Sequence, residues 1–572
     1  MFGLLDLWNG ERVVVFLFVS RILFSVPSAL GYEGVALILL AGSGLVVEIF
    51  VENSSAVLDQ FKTRSGASSG ILLATVTLPS LMLSRLIQVS RAVSDHEIGP
   101  EWFSYFSLQF WAACSCCFGV VSFFYFILQY CCNSTSCLHL PRPRASICSL
   151  FCMVYVLLCY LSSAKKSSSD WYVIMNLAWL FCYGLATVIL MKHIVRTFPS
   201  SASIGEALLV SSGMILYFGD LFANVLSKMN LISQSQIYNS LEHGSVNEVS
   251  TIVQGVLACL LIFPIFYKLV IQMLKSTNFD TAEVQVVHRG MHRGIGSSIV
   301  FYASLFITLT VVAPALIYFV EDFHMHPVLW VLGFLFKEPL RRVSLCLYWV
   351  FVVCVSVFRF YDISKNSRTE RILLRKYYHL VAVLIFVPAV IFEPDFLDLA
   401  FGAALAAFLI LEMMRVWKIW PFGHMLHQFM NAFTDHRDSE ILIVSHFSLL
   451  LGCAIPKWMS SGFNDRPLAP FAGILSLGIG DTMASMVGHK YGVLRWSKTG
   501  RKTIEGTAAG ITSVLASCSI LVPVLAASGG YIYSKHWASL VAAVTLTGLM
   551  EAYTAQLDNA FIPLLFYTLL CL

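Results

Sequence analysis

The sequence predicts an all-α fold of membrane-spanning helices, on three observations. Hydrophobic residues make up 58% of the 572 positions and charged residues only 12%, with a mean hydropathy of +0.76. Apolar runs near the roughly 20 residues needed to cross a bilayer recur along the whole chain, roughly fifteen of them. The remaining charges gather in the polar connections. Such a chain closes its backbone hydrogen bonds within helices, because a bilayer offers no other partners. The composition excludes a soluble enzyme. A formal net charge of +4, without a continuous basic stripe, gives no reason to expect a nucleic-acid partner.

The first sixteen residues, MFGLLDLWNGERVVVF, carry Asp6 and Glu11 and so differ from an Arg-rich, acid-poor organellar leader. The first apolar run reads as a signal anchor, and no KDEL-type tail is seen. From Arg12 to about Leu274 the chain reads as about eight apolar segments. Asn53 and Asn133 head N-x-S/T sequons there, which matter only if they face a lumen. Asp220, inside ILYFGDLFANV, is expected to sit beside a polar partner rather than to mark a lipid path. Most of the sixteen cysteines lie inside apolar runs, where Cys acts as a small hydrophobe. None has zinc spacing, and Cys131, Cys132 and Cys137 are expected to stay unpaired. No internal repeat is evident.

Two basic connections follow. In Lys275–Gly296, His288 and His292 share a helical face beside Arg289 and Arg293. Two histidines are too few for a metal, so the loop is expected to face lipid headgroups. The second, RFYDISKNSRTERILLRKYYHL, ends in Arg375-Lys376-x-x-His379 where the chain re-enters the membrane. Its cations read as a topology anchor.

The stretch Leu475–Gly510 organises the rest. Asp481 stands at the end of an apolar run, where a charge is costly and marks function by default. On a helix, Asp481, Ser485, Gly488 and Gly492 fall on one narrow face. Next come the cations Arg495, Lys498, Arg501 and Lys502, then Thr503, Glu505 and Gly506. Carboxylate, open backbone and clustered cations suit a metal-bound polyphosphate. Taken singly, small residues serve helix packing and loop cations set topology. In the tail, Glu551 and Asp558 share a face if their helix is unbroken.

The series Asp481, Ala484, Gly488, Gly492, Lys502, Thr503, Glu505 and Gly506 resembles the signature of the CTP-dependent polyprenol and lipid kinases. That family includes dolichol, phytol and CTP-dependent diacylglycerol kinases, with CDP-diacylglycerol synthase more distant. Arg501-Lys502 departs from the family's usual Lys-Lys but keeps the charge. Asp558-Asn559 followed by Pro563 resembles a second family motif, and the family carries a basic-plus-His pattern like Arg375, Lys376 and His379. The long multi-span N-terminal region is most similar to that of dolichol kinases.

The resemblance implies CTP as phosphoryl donor, a divalent metal (Mg²⁺ or Ca²⁺) on Asp481 and Asp558, and dolichol or another polyprenol as acceptor. It implies catalytic roles for Asp481, Lys502, Glu505 and Asp558. Ser485, Gly488, Gly492, Arg501, Lys502, Thr503 and Gly506 would bind the nucleotide, with Arg375, Lys376 and His379 as a further phosphate or headgroup contact. Residues 1–358 would form an N-terminal multi-span region and 359–572 the catalytic membrane domain. The implied location is the endoplasmic reticulum membrane, in the service of protein glycosylation. Counting spans from Arg359–Lys376 places that loop, the signature loop and Asp558 on one side, the Lys/Arg-rich and hence cytosolic one. No G-x-x-x-x-G-K-[ST] pattern occurs, so the common soluble type of ATP site is not expected. A cytidylyltransferase, another lipid-alcohol kinase and a non-catalytic transporter or scaffold are the rival readings.

Overall fold

The computed structural model describes residues 9–54, 61, 64, 68–132, 145–164, 170–199, 201–229, 248–277, 289–321, 323, 325–366, 371–431, 443–496, 502–529 and 537–572. Those residues are helical almost throughout, and among them no strand forms. Among the described residues ten helices are long and apolar enough to cross a membrane, and six further apolar helices are shorter.

Among the described residues up to Thr277 run eight helices: α1 (Gly10–Leu23), α2 (Gly31–Glu52), α3 (Ile71–Ser94), α4 (Pro100–Cys132), α5 (Ala145–Ala164), α6 (Asp170–Thr197), α7 (Ile204–Lys228) and α8 (Glu248–Thr277). Helix α3 is the central post, buried along its whole apolar window. It carries hydroxyls inside the bundle because each closes on its own helix. Thr75, Thr77 and Ser84 donate to the carbonyls of Leu72, Leu73 and Leu81 at 2.6–2.8 Å. Asp220 of α7 accepts from Tyr105 and Gln109 of α4, each at 2.6 Å. The described cysteines are free thiols, and Cys114, Cys116 and Cys117 are fully buried core residues.

Next come α9 (Arg289–Ile307, continued by a π-helical stretch and Ala313–Val320), α10 (Pro327–Lys337) and α11 (Pro339–Asn366). Only 11% of the apolar window of α11 is buried, so its Leu340, Leu347 and Phe358 point outward as lipid-facing side chains do. His288 lies outside the described residues.

The last third holds α12 (Arg371–Phe392), α13 (Pro394–Trp417), α14 (Gly423–Asn431) and α15 (Val444–Met459). A π-helical stretch, Ile474–Asp481, then runs into α16 (Thr482–Tyr491), followed by α17 (Ile504–Gly529), α18 (Trp537–Tyr553) and α19 (Asp558–Leu570). Helix α19 packs on α3 and α18 on α1, and one continuous apolar core includes residues of both regions, from Val14 to Leu572.

Two sequence expectations change. The tail is not one helix: α18 ends at Tyr553 and α19 begins at Asp558. Nor does the Asp481 face include Gly492. Helix α16 stops at Tyr491, and Gly492 is extended (φ −70°, ψ 118°), its N–H bonded to the Gly488 carbonyl at 3.1 Å.

Candidate active site

Two cation–carboxylate pairs face one cavity of about 590 Å³. Helix α12 supplies the first cation. Lys376 and His379, three residues apart, lie on one face of it. The Lys376 ammonium donates to Asp481 Oδ2, and His379 Nδ1 lies 3.3 Å from the same oxygen. That imidazole also meets the Leu477 carbonyl at 3.2 Å. Asp481 is buried as the last residue of the π-helical stretch, a helix variant frequent at functional sites. One turn on, Ser485 donates to Asp481 Oδ1 at 3.4 Å.

Lys502 is the second cation. Its ammonium donates to Asp558 Oδ2 at 3.1 Å and Oδ1 at 3.3 Å, and to the Glu551 backbone carbonyl. A narrow backbone pairing closes the loop that carries it. Trp496 N–H bonds the Lys502 carbonyl at 3.2 Å, and Ile504 N–H bonds the Leu494 carbonyl at 2.8 Å. Asp558 opens α19, where a helix N-terminus favours a carboxylate. Burial works against the Lys502 charge, but Asp558, Glu551 and Asp481 outweigh it and hold the ammonium above the ordinary lysine range.

The glycines of the signature bring α16 and α17 together. A Cβ on Gly506 would lie 2.6 Å from the Ala484 carbonyl and 3.0 Å from Gly488 Cα, and one on Gly488 would lie 2.9 Å from Thr503 Oγ1. Thr503 Oγ1 in turn accepts Gly506 N–H at 3.2 Å. This contact closes one side of the cavity.

Of the residues singled out in the sequence, Lys376, Asp481, Ser485, Gly488, Gly492, Lys502, Thr503, Gly506 and Asp558 all border the cavity. His379 backs Asp481 from behind. Glu505, in the first turn of α17, accepts Leu494 N–H on its two oxygens at 3.0 and 3.2 Å and so fixes the loop. Arg501 and the side chain of Arg375 lie outside the described residues. Glu551 was noted in the sequence only for the face it might share with Asp558; it joins the cavity wall beside Lys502. The signal for it was present: a carboxylate at the end of an apolar run, as for Asp481. Away from the charged pairs the wall turns apolar, with Ile511, Val514, Val544, Ile562 and Phe566.

Among the described residues no three His, Cys, Asp or Glu side chains stand close enough to hold a metal by themselves. Asp481, Glu551 and Asp558 nevertheless border the same cavity. That donor set fits a hard cation that takes one or two carboxylates from protein and its other oxygens from phosphate.

A cavity with charged pairs and apolar walls, inside a polytopic helical bundle, is the arrangement of a lipid-modifying membrane enzyme. The particular family follows from comparison: a sequence model described as dolichol kinase matches residues 11–522, and the chain belongs to that family. It is 54% identical to "Dolichol kinase EVAN" of Arabidopsis thaliana over 569 residues, 99% of this chain and 98% of that one. Human "Dolichol kinase" is 36% identical over 262 residues, 43% of this chain and 47% of its own. Mouse "Dolichol kinase" is 28% identical over 529 residues, 89% and 87% of the two chains. No solved structure matches.

Proposed function

We propose that this chain phosphorylates dolichol, with CTP as the donor, in the endoplasmic reticulum membrane and with its site on the cytosolic face. The observation that carries the reading is the single cavity with Lys376–Asp481 and Lys502–Asp558 at one end and apolar side chains at the other. Phosphoryl transfer needs mainly positioning and charge neutralisation. The nucleotide phosphates lie at the charged end, held by Lys376, Lys502, Arg501 and the loop that Thr503 and Glu505 keep in place. Gly488, Gly492 and Gly506 let α16, α17 and the loop between them close around that end, and Ser485 orients Asp481. The isoprenoid chain lies along the apolar wall, so its hydroxyl meets the γ-phosphorus. A carboxylate of the wall takes the hydroxyl proton as the new P–O bond forms, and CDP leaves with the bridging oxygen. Asp481 and Asp558 would hold a divalent ion, Mg²⁺ or Ca²⁺, which would supply further neutralisation of phosphate charge. Residues 359–572 carry this chemistry, and Lys/Arg enrichment on the loops of that side supports the cytosolic orientation.

The test is purified protein in lipid with dolichol and CTP labelled at the γ-phosphate, wild type beside Asp481→Asn, with ATP as a control. Label in dolichyl phosphate from CTP, lost in the variant, is expected. Label released as pyrophosphate would instead indicate a cytidylyltransferase.

A further inference from the structure

We infer that the N-terminal helices hold the four-residue break between α18 and α19 and thereby position Glu551 and Asp558. Glu206, Arg64, Glu11 and Gln556 act as positioning residues. The inference rests on the reading of Asp558 as a site residue.

The break, Thr554–Leu557, has no glycine or proline to stabilise it locally, so its conformation comes from its partners. Each of its four residues is held by a group from the N-terminal region. Thr554 donates to Glu11 Oε1 at 3.1 Å, and the Ala555 carbonyl accepts from Arg64 at 3.2 Å. The Gln556 amide donates to the Ser68 carbonyl at 2.9 Å and accepts from the Ser203 hydroxyl. Leu557 N–H donates to Glu206 Oε1 at 2.8 Å.

These grips are themselves tied down. Glu206 also takes both Arg64 guanidinium nitrogens, at 2.9 and 3.2 Å, and Ser203 N–H at 2.8 Å. Glu206 and Gln556 are 2% and 1% exposed, so water is no substitute for either set of bonds. Gly70 adopts φ +66°, and the Gln556 side chain fills the place where a Cβ would stand. The last residue of the break is bonded to Asp558, and Glu551 lies three residues before its first. Any shift of the break moves both carboxylates against Lys502. This assigns part of the N-terminal region a duty in the catalytic geometry.

The experiment uses full-length protein in lipid and compares Gln556→Ala, Glu206→Ala and Glu206→Gln with wild type. The readouts are amide hydrogen exchange over residues 554–560, kcat, and KM for dolichol. Gln556→Ala leaves the Arg64–Glu206 pair intact and keeps the test valid if Glu206→Ala does not fold. Faster exchange confined to the break is expected. It should accompany a kcat lower by on the order of tenfold to a hundredfold, as for misplaced catalytic groups, with dolichol KM within about twofold. Glu206→Gln, which keeps an acceptor for Leu557 N–H, is expected to restore most of the kcat lost in Glu206→Ala.

Full kcat despite faster exchange, or lost kcat with unchanged exchange, would overturn the inference. So would an equal kcat loss in Asp398→Asn, a buried ion pair with Lys457 elsewhere in the bundle. If wild type itself makes no dolichyl phosphate, it is the proposed function that fails. Exchange at the break then still reports whether the clamp exists.

Discussion

Burial works against the Lys502 charge, yet the Asp558 carboxylate and the Glu551 backbone carbonyl hold its ammonium in place. Lys502→Met is expected to lower kcat on the order of a hundredfold to a thousandfold, the scale of losing one preorganised electrostatic partner. Lys490→Met, an exposed cation lying over the Tyr491 ring, is expected to leave turnover unchanged. Equal losses in a steady-state comparison would remove Lys502 from its assigned role. Because its neighbours hold Lys502 above the ordinary lysine range, it stays protonated through neutral and mildly alkaline pH. No activity loss from its titration is therefore expected below about pH 10 in a pH–rate profile. Asp481 was legible in the sequence because a carboxylate ending an apolar run is costly wherever it is placed. Its pairing with Lys376 was not, since 105 positions separate them and no local pattern reports such a contact.

At the scale of elements, α16 and α17 approach closely because glycine stands at the crossing. Gly506→Val would drive a side chain into the Ala484 carbonyl and Gly488. A loss of about 1–3 kcal/mol is expected, the usual cost of overpacking, read as a lower melting temperature in detergent. Spans and loops were readable from hydropathy, because a run of apolar residues in lipid has few structures open to it. The break between α18 and α19 was not readable. Thr-Ala-Gln-Leu carries no turn chemistry, and what interrupts the helix is a set of partners from α1, α7 and the segment before α3. Tertiary contacts overrode local preference there.

For the molecule as a whole, one core joins regions that composition and motif would separate. Helix α19 packs on α3 and α18 on α1, and the core includes residues of both regions, while within the first region Arg12 of α1 pairs with Glu48 at 2.9 Å and Glu52 at 2.8 Å. Residues 359–572 alone are expected to aggregate rather than give a monodisperse peak in size-exclusion chromatography, because the α3-facing side of α19 would be bare. Arg12→Met, which takes the cation from the buried Glu48, is expected to cost about 3–5 kcal/mol of stability with dolichol KM unchanged, measured by thermal melting beside kinetics.

The two lysine–carboxylate pairs have one more consequence. Lys376 is committed to Asp481 and Lys502 to Asp558, so a polyanion or a divalent cation that engages either pair alone must displace a counter-charge. When the two arrive together they can exchange partners, cation to carboxylate and phosphate to lysine. The site then behaves as a coincidence detector. Titration calorimetry with CTP and metal, singly and together, is expected to show each tightening the other by the same factor, as linkage requires. Independent binding of the two would remove that behaviour.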